Sequence, residues 1–347
     1  MSARVPAFFH PEQLDFRPRY EWALGRKLAH PERTERADNI LAALEEASDR
    51  YVVREPLEQP LARIERHHSA AMLRLYEAAI ALEPGEDVNP SVFVRSSSGP
   101  PETTNLSYAG YHCFDSGTPL NREVCAASQW SAGAAVSAAE MITLGGAEVA
   151  YALSRPPGHH AAFDRFGGYC YLNNNALAAD VLREKYERVA IVDVDAHHGN
   201  GTQELFWRDG QVLTISLHGD PAVSFPFFWG HADEVGDGPG RDRNINVPLP
   251  EGTRGDAYLR ALEEHVLPAV RQFEAEAIVV AAGVDAYVRD PVGNLALTTR
   301  DFSRIGRCLG QLERPCCIVQ EGGYYTPDIG ANVVALLDGL CRELLGG

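Results

Sequence analysis

Basic residues are scarce in this chain: 31 Lys and Arg stand against 48 Asp and Glu in 347 residues, a formal charge of −17 at pH 7. Phosphate recognition runs on a cationic surplus, so the balance argues against a nucleic-acid partner. A net negative field favours small polyamines, lysine-rich tails and metal ions, although the same charge also serves solubility alone. Long apolar runs are missing too. Nowhere do 18 apolar residues follow one another, and Met1 to Phe16 holds no apolar segment of signal-peptide length, so a cytoplasmic protein with no membrane partner is expected. Cysteine is sparse and unpatterned. The seven include no Cys-x-x-Cys pair, and the adjacent Cys316 and Cys317 lie in an apolar run, which reads as reduced, mostly buried thiols. Linkers are also lacking: Gly230 to Pro250 is the stretch richest in Gly and Pro, and it is too short and mixed to separate domains. Residues 1–347 are therefore read as one domain.

What is present is a globular composition, 45% hydrophobic with 31 Gly and 22 Pro as punctuation. The first ninety residues are polar and helical, with apolar residues at helical spacing over Arg33 to Ser48 and Ala70 to Leu82, and they read as scaffold without chemistry. Residues 90 to 120 are loop-like and carry Tyr108, Tyr111 and Phe114. From Gln129 onward, helical stretches such as Asn175 to Tyr186 and Ala257 to Phe273 alternate with short apolar runs. Those runs, Glu148 to Leu153, Val189 to Val194, Val212 to Leu217, Ala277 to Ala281 and Cys316 to Val319, predict buried strands. The pattern predicts an α/β fold, an open, mostly parallel β-sheet with helices on both faces. Ligands in such sheets bind beyond the carboxyl ends of the strands.

Each of four strand ends is followed by residues that can do chemistry. His159 and His160 follow the first, Asp193, Asp195 and His197 the second, Asp285 another, and Glu321 to Tyr324 the last. Asp193, Asp195 and His197 stand at i, i+2 and i+4, which in an extended segment shares one face. Two inward carboxylates at the end of an apolar strand repel each other and lose solvation, and a buried cation resolves both problems. A hydrogen-bonded polar cluster is the plainer alternative. Asp195, His197 and Asp285 make a three-ligand set with room for water or substrate, the open arrangement of a hydrolytic site. The donors suit Zn(II), Fe(II) or Mn(II). The histidine pair can take up and return protons, and the Tyr324 hydroxyl can polarise a carbonyl.

The strings Arg155-Pro156-Pro157-Gly158-His159-His160, Phe166 to Asn174, Asp193 to Gly201 and Glu321 to Tyr324 together resemble the arginase/deacetylase superfamily, in particular its metal-dependent histone-deacetylase-like amidohydrolases. The loop Ser216 to Pro221, with Ser224-Phe225-Pro226 and Glu234-Val235-Gly236, is similar to that of bacterial acetylpolyamine amidohydrolases. The resemblance implies the arginase/deacetylase fold, with Asp195, His197 and Asp285 as metal ligands for Zn(II), Fe(II) or Co(II) being the alternatives. It implies His160 as the general base, His159 as its electrostatic partner oriented by Asp193, and Tyr324 as hydrogen-bond donor to the scissile carbonyl. A structural K+ or Na+ would be held by Asp193, the main-chain oxygens of Asp195, His197 and Leu217, and the Ser216 hydroxyl. Gly168, Tyr169 and Phe225 would wall a narrow channel for a linear aliphatic arm.

Departures from the pattern refine this. Asn200 stands where many peptide-acting relatives have the aspartate partner of the second histidine, which leaves the pKa of His160 open. His112 replaces the rim aspartate that grips a peptide backbone, and its place at the rim favours a small substrate. Gly199 lies where the related arginases carry a further metal-binding carboxylate, which disfavours a second catalytic metal. The expectation is a zinc-dependent hydrolase of small cationic acetylated polyamines, assembled as a homodimer. A protein lysine deacetylase and a non-catalytic binder of acetylated ligands are the alternatives. Glu102 and Asp115 are candidates for the distal ammonium, each more plainly read as a solvated loop carboxylate.

Overall fold

A computed structural model describes residues 4–23, 25–57, 61–93 and 103–346. Eight parallel strands form one open sheet: β1 Val5–Phe8, β4 Tyr51–Arg54, β5 Val149–Ala152, β6 Val189–Asp193, β7 Val212–Gly219, β8 Asn244–Leu249, β9 Ala277–Ala282 and β10 Cys316–Gln320. A separate antiparallel hairpin joins β2 Tyr20–Ala23 to β3 Arg26–Ala29. The order across the large sheet is β4-β1-β5-β10-β9-β6-β7-β8. After β5 the chain therefore leaves two places open, builds outward through β6, β7 and β8, and returns to fill the gap with β9 and β10. That reversal puts the carboxyl ends of β5, β10, β9 and β6 side by side, a topological switch point.

The predicted strands are all present within two residues of their expected ends. They are apolar on both faces because both faces are covered. Along β6, Ala190 and Val192 pack with Ile40, Tyr258 and Leu337 on one side, while Val189 and Ile191 pack with Ala135, Leu177 and Val181 on the other. The long helix Val124–Thr143 is rich in Ala and Ser, and its small side chains let it lie against Asn174–Leu182 and the sheet. The stretch expected as one helix from Ala257 to Phe273 is two helices, Gly255–Ala261 and Leu267–Phe273, joined by a π-turn over Leu262–Val266. Pro268 lies at the start of the second, where its missing N–H removes a helical hydrogen bond. Among the described residues no helix is long and apolar enough to cross a membrane. All seven cysteines are free thiols, and six are buried.

Candidate active site

The chain does not stay extended past β6. The strand ends at Asp193, whose Oδ1 accepts the N–H of Asp195 at 3.1 Å, and Asp195 Oδ1 in turn accepts the N–H of His197 at 2.8 Å. Two successive carboxylate turns thus replace the expected extended run. Their effect is to divide the three residues. Asp193 turns to His159, with Oδ2 2.8 Å from Nδ1, whereas Asp195 and His197 face Asp285. His197 Nδ1 lies 3.1 Å from Asp195 Oδ1 and 3.0 Å from Asp285 Oδ2.

The three donors Asp195, His197 and Asp285 are buried, and one ligand atom from each lies within 4.8 Å of the other two. Backbone groups fix the far oxygens: Gly322 N–H donates to Asp195 Oδ2 at 2.8 Å, and Ala196 N–H to Asp285 Oδ1 at 2.7 Å. Burial, then the charge of Asp195, pushes the Asp285 carboxyl up to about 7. Two carboxylates crowded around one imidazole nitrogen in a dry site fit a divalent cation.

His159 and His160 differ sharply, though their rings are 4.0 Å apart. Burial would lower His159, but Asp193, Asp195 and Glu321 raise it to about 10, so it keeps its proton. His160 bonds through Nδ1 to Asn200 Oδ1 at 2.7 Å. Burial, then His159 and His197, hold it well below the ordinary imidazole range. It is the neutral member of the pair. Glu321, completely buried, accepts the N–H groups of Gly158 at 2.7 Å and His159 at 3.1 Å and the Asn175 amide at 2.8 Å.

Tyr324 follows Gly323, which has φ +130°, a conformation that favours glycine. Asp290 Oδ2 accepts the N–H of Tyr324 at 2.6 Å and of Tyr325 at 3.0 Å. Burial raises the Tyr324 phenol well above its ordinary value despite Arg36 nearby, so the hydroxyl remains a donor. Its ring meets that of Tyr169 edge-on, at 5.6 Å and 76°. Phe225 stands edge-on to His160 at 5.1 Å and 6.3 Å from His197. Gly168 lies directly against His160, since a Cβ there would sit 2.1 Å from Cδ2. Gly168, Tyr169 and Phe225 are therefore brought together around the histidines and Tyr324.

Other expected residues fall differently. His112 is 2% exposed, with Nδ1 2.7 Å from the Asp164 carbonyl, so it packs inside the protein instead of standing at a rim. Asp115 is no solvated loop carboxylate. It accepts from Gly117 N–H at 2.8 Å, Thr118 Oγ1 at 3.1 Å and Gly168 N–H, and so fixes the Gly168-Tyr169 turn. Glu102 lies outside the described residues. Ser216 and Leu217 are buried in β7, with Ser216 in register beside Asp193 and its Oγ 2.8 Å from His218 Nδ1. A small cavity there is lined by Asp193, His198, Ser216 and Asn246 together with Ile191 and Ile215, and the buried His198 Nδ1 has no partner.

The reading of the first ninety residues as scaffold needs correction. Glu21 of β2 accepts the Tyr169 hydroxyl at 2.7 Å, and Arg36 lies 4.7 Å from the Tyr324 ring centre. Asp290 is a further supporting residue, through the Tyr324 and Tyr325 N–H groups. The signals available were slight: a Glu32/Arg36 pair at i, i+4, and an aspartate five residues after Asp285.

Residues 30–340 match the histone deacetylase domain family. The acetylpolyamine amidohydrolase of Burkholderia pseudomallei is 38% identical over 338 residues, covering 96% of this chain and 97% of that one. The acetylpolyamine amidohydrolase of Mycoplana ramosa is 40% identical over 311 residues, 88% of this chain and 90% of its own. The crystal structure of the Burkholderia pseudomallei acetylpolyamine aminohydrolase superposes with a TM-score of 0.91 at 37% identity, covering 98% of this chain and 99% of that one. Fold, motif order and overall similarity agree: the chain belongs to the histone deacetylase domain family.

Proposed function

We propose that the protein is a metal-dependent amidohydrolase that removes acetyl groups from N-acetylated polyamines such as acetylputrescine and acetylcadaverine. The observation that carries the reading is the buried Asp195, His197 and Asp285 set with His159 bonded to Asp193, His160 bonded to Asn200 and the Tyr324 side chain gathered around it. Asp195, His197 and Asp285 would hold Zn(II), with Fe(II) or Co(II) as alternatives. Such an ion supplies Lewis acidity and an acidified water.

The chain's own residues do the rest. His160, neutral, accepts the proton of the attacking water and passes it to the leaving amine. His159, kept charged by Asp193, offsets negative charge as the acetamide carbon becomes tetrahedral. Tyr324 donates to the acetamide oxygen, an interaction that strengthens as that oxygen gains charge. Tyr169 and Phe225 flank the aliphatic arm and exclude water from it. The polyamine class is supported by whole-length similarity to two acetylpolyamine amidohydrolases. Asn200 in place of a charged histidine partner agrees with that choice.

The reading extends further. Residues 1–347 act as one catalytic domain, since the sheet takes strands from Val5 to Gln320. A structural K+ or Na+ would be held by Asp193, the Ser216 hydroxyl and main-chain oxygens of Asp195, His197 and Leu217, a reading supported by Ser216 standing in register beside Asp193. The free thiols suit a reducing cytoplasm, and a homodimer is the proposed assembly.

Three measurements test the function. Steady-state rates on acetylcadaverine should exceed those on an acetyl-lysine tripeptide, and a preference for the peptide sinks the polyamine reading in favour of a lysine deacetylase. Chelation should abolish turnover and Zn(II) restore it, while Tyr324→Phe should keep metal and ligand binding and lose about a hundredfold or more in kcat. An unimpaired Phe variant removes Tyr324 from the reaction.

A further inference from the structure

One buried charge cluster links the N-terminal segment to the loops that carry the reacting groups. Glu32 is 0% exposed, Arg155 1% and Arg36 2%. Glu32 Oε1 accepts from Arg36 Nη1 at 2.7 Å and lies 2.9 Å from Arg155 Nε, while Oε2 accepts from Arg155 Nη2 at 2.9 Å. One carboxylate therefore sits between two guanidiniums.

Each guanidinium has further work. Arg36 donates through Nε to the Gly323 carbonyl and through Nη2 to the Glu321 carbonyl, both at 2.5 Å. These are the carbonyls of the turn that delivers Tyr324, and the same guanidinium covers the Tyr324 ring at 4.7 Å. Arg155 is anchored on the other side, donating to the Phe16 carbonyl at 2.8 Å and to the Gln13 carbonyl, with its own N–H on Gln13 Oε1 at 2.7 Å. Glu32 is thus held from behind by the anchored Arg155 and in turn orients Arg36. Arginine stays charged at any working pH, so losing the carboxylate would leave two buried like charges facing each other. Arg36 would then be driven from the carbonyls it clamps.

The structure assigns to Glu32 the part of a positioning residue: acting through Arg36, it holds Tyr324 where its hydroxyl reaches the acetamide oxygen. The assignment rests on the deacetylase reading above. It differs from a purely structural role in one respect. A fold-stabilising residue costs the same whether or not the Tyr324 hydroxyl is present, whereas a residue acting through that hydroxyl costs nothing once it is gone.

The test is a double-mutant cycle on the zinc-loaded protein with wild type, Glu32→Gln, Tyr324→Phe and the double variant. Each is assayed for kcat and KM on acetylcadaverine. Calorimetry gives the Kd of an aminoalkyl trifluoromethyl ketone, whose hydrate presents a tetrahedral oxygen to the site. Glu32→Gln should lower kcat about tenfold or more with KM within about twofold and zinc content unchanged. It should weaken the ketone about tenfold in the wild-type background and less than about twofold beside Tyr324→Phe. Equal losses in both backgrounds, or a kcat within about threefold of wild type, overturn the assignment. If Glu32→Gln does not fold, Glu32→Asp keeps the charge but is one methylene too short to span both guanidiniums, and the same cycle and criteria apply to it. A wild-type protein that turns over no acetylated amine overturns the deacetylase reading; an active wild type with an additive cycle overturns the role of Glu32 alone.

Discussion

The two adjacent histidines are pushed in opposite directions by their neighbours, His159 upward against burial by Asp193, Asp195 and Glu321 and His160 downward by burial and by His159 and His197. His159 has a carboxylate at 2.8 Å and His160 an amide oxygen at 2.7 Å, and in equally dry surroundings only the first keeps its proton. An amide oxygen accepts the imidazole N–H but adds no charge to stabilise the cation. Asn200→Asp should therefore raise the His160 pKa. A base must be neutral to act, and a raised pKa keeps it protonated to higher pH, so the acidic limb of the kcat/KM profile should move up by about one unit or more. An unmoved limb would exclude His160 as the base. Asp290 acts at the same scale. It takes the N–H groups of Tyr324, Tyr325, Val292 and Gly293, and hydrogen bonds to a charged group contribute about 1.5–3 kcal/mol each. Asp290→Asn should lower kcat about tenfold and lower the melting temperature while metal content, read by atomic absorption, stays at that of wild type.

At the scale of elements, the parts of the fold that were legible are those whose environment is uniform. Strands β5, β6, β7, β9 and β10 are covered on both faces and read as unbroken apolar runs. Strand β8 lies at an edge and alternates Ile245, Val247 and Leu249 with Asn244 and Asn246, which bond Gln203, His198 and Glu234, so it forms no unbroken apolar run. Strand β4 lies at the other edge and is only partly buried, and β1 carries Pro6 within its four residues, so neither reads as a buried apolar strand. The site was legible where chemistry and local sequence coincide, as in His159-His160 and Asp195-Ala196-His197. It was not legible where long-range packing makes the function: Glu32 and Arg36 look like an ordinary helical pair until β10 brings Gly323 beneath them. Close packing at strand ends also makes a prediction. A Cβ on Gly322 would lie 2.1 Å from Asp285 Oδ2 and 2.6 Å from Asp195 Oδ2. Gly322→Ala should therefore displace both carboxylates and lose the metal, and a variant that retains full zinc occupancy would show that these two oxygens do not set the site.

At the scale of the whole molecule, the question is what the charge of −17 does. The site itself is nearly closed to solvent: Asp195 and Asp285 are 0% exposed, and in the proposed enzyme a bound cation would offset their charge. The outward field comes from the surface surplus of Asp and Glu, acting on whatever approaches the channel. For a monocationic acetyldiamine, that field raises the encounter rate and favours the outward passage of acetate, and it does so only over distances that salt leaves unscreened. The Debye length falls from about 30 Å at 0.01 M ionic strength to about 8 Å at 0.15 M. For acetylcadaverine, kcat/KM should therefore fall as salt is raised across that range, with kcat unchanged because chemistry inside the channel is shielded from the solvent. A neutral N-acetylalkylamine of the same length should show no such fall. If the cationic and neutral substrates respond alike, the surface charge plays no part in substrate capture and serves solubility alone.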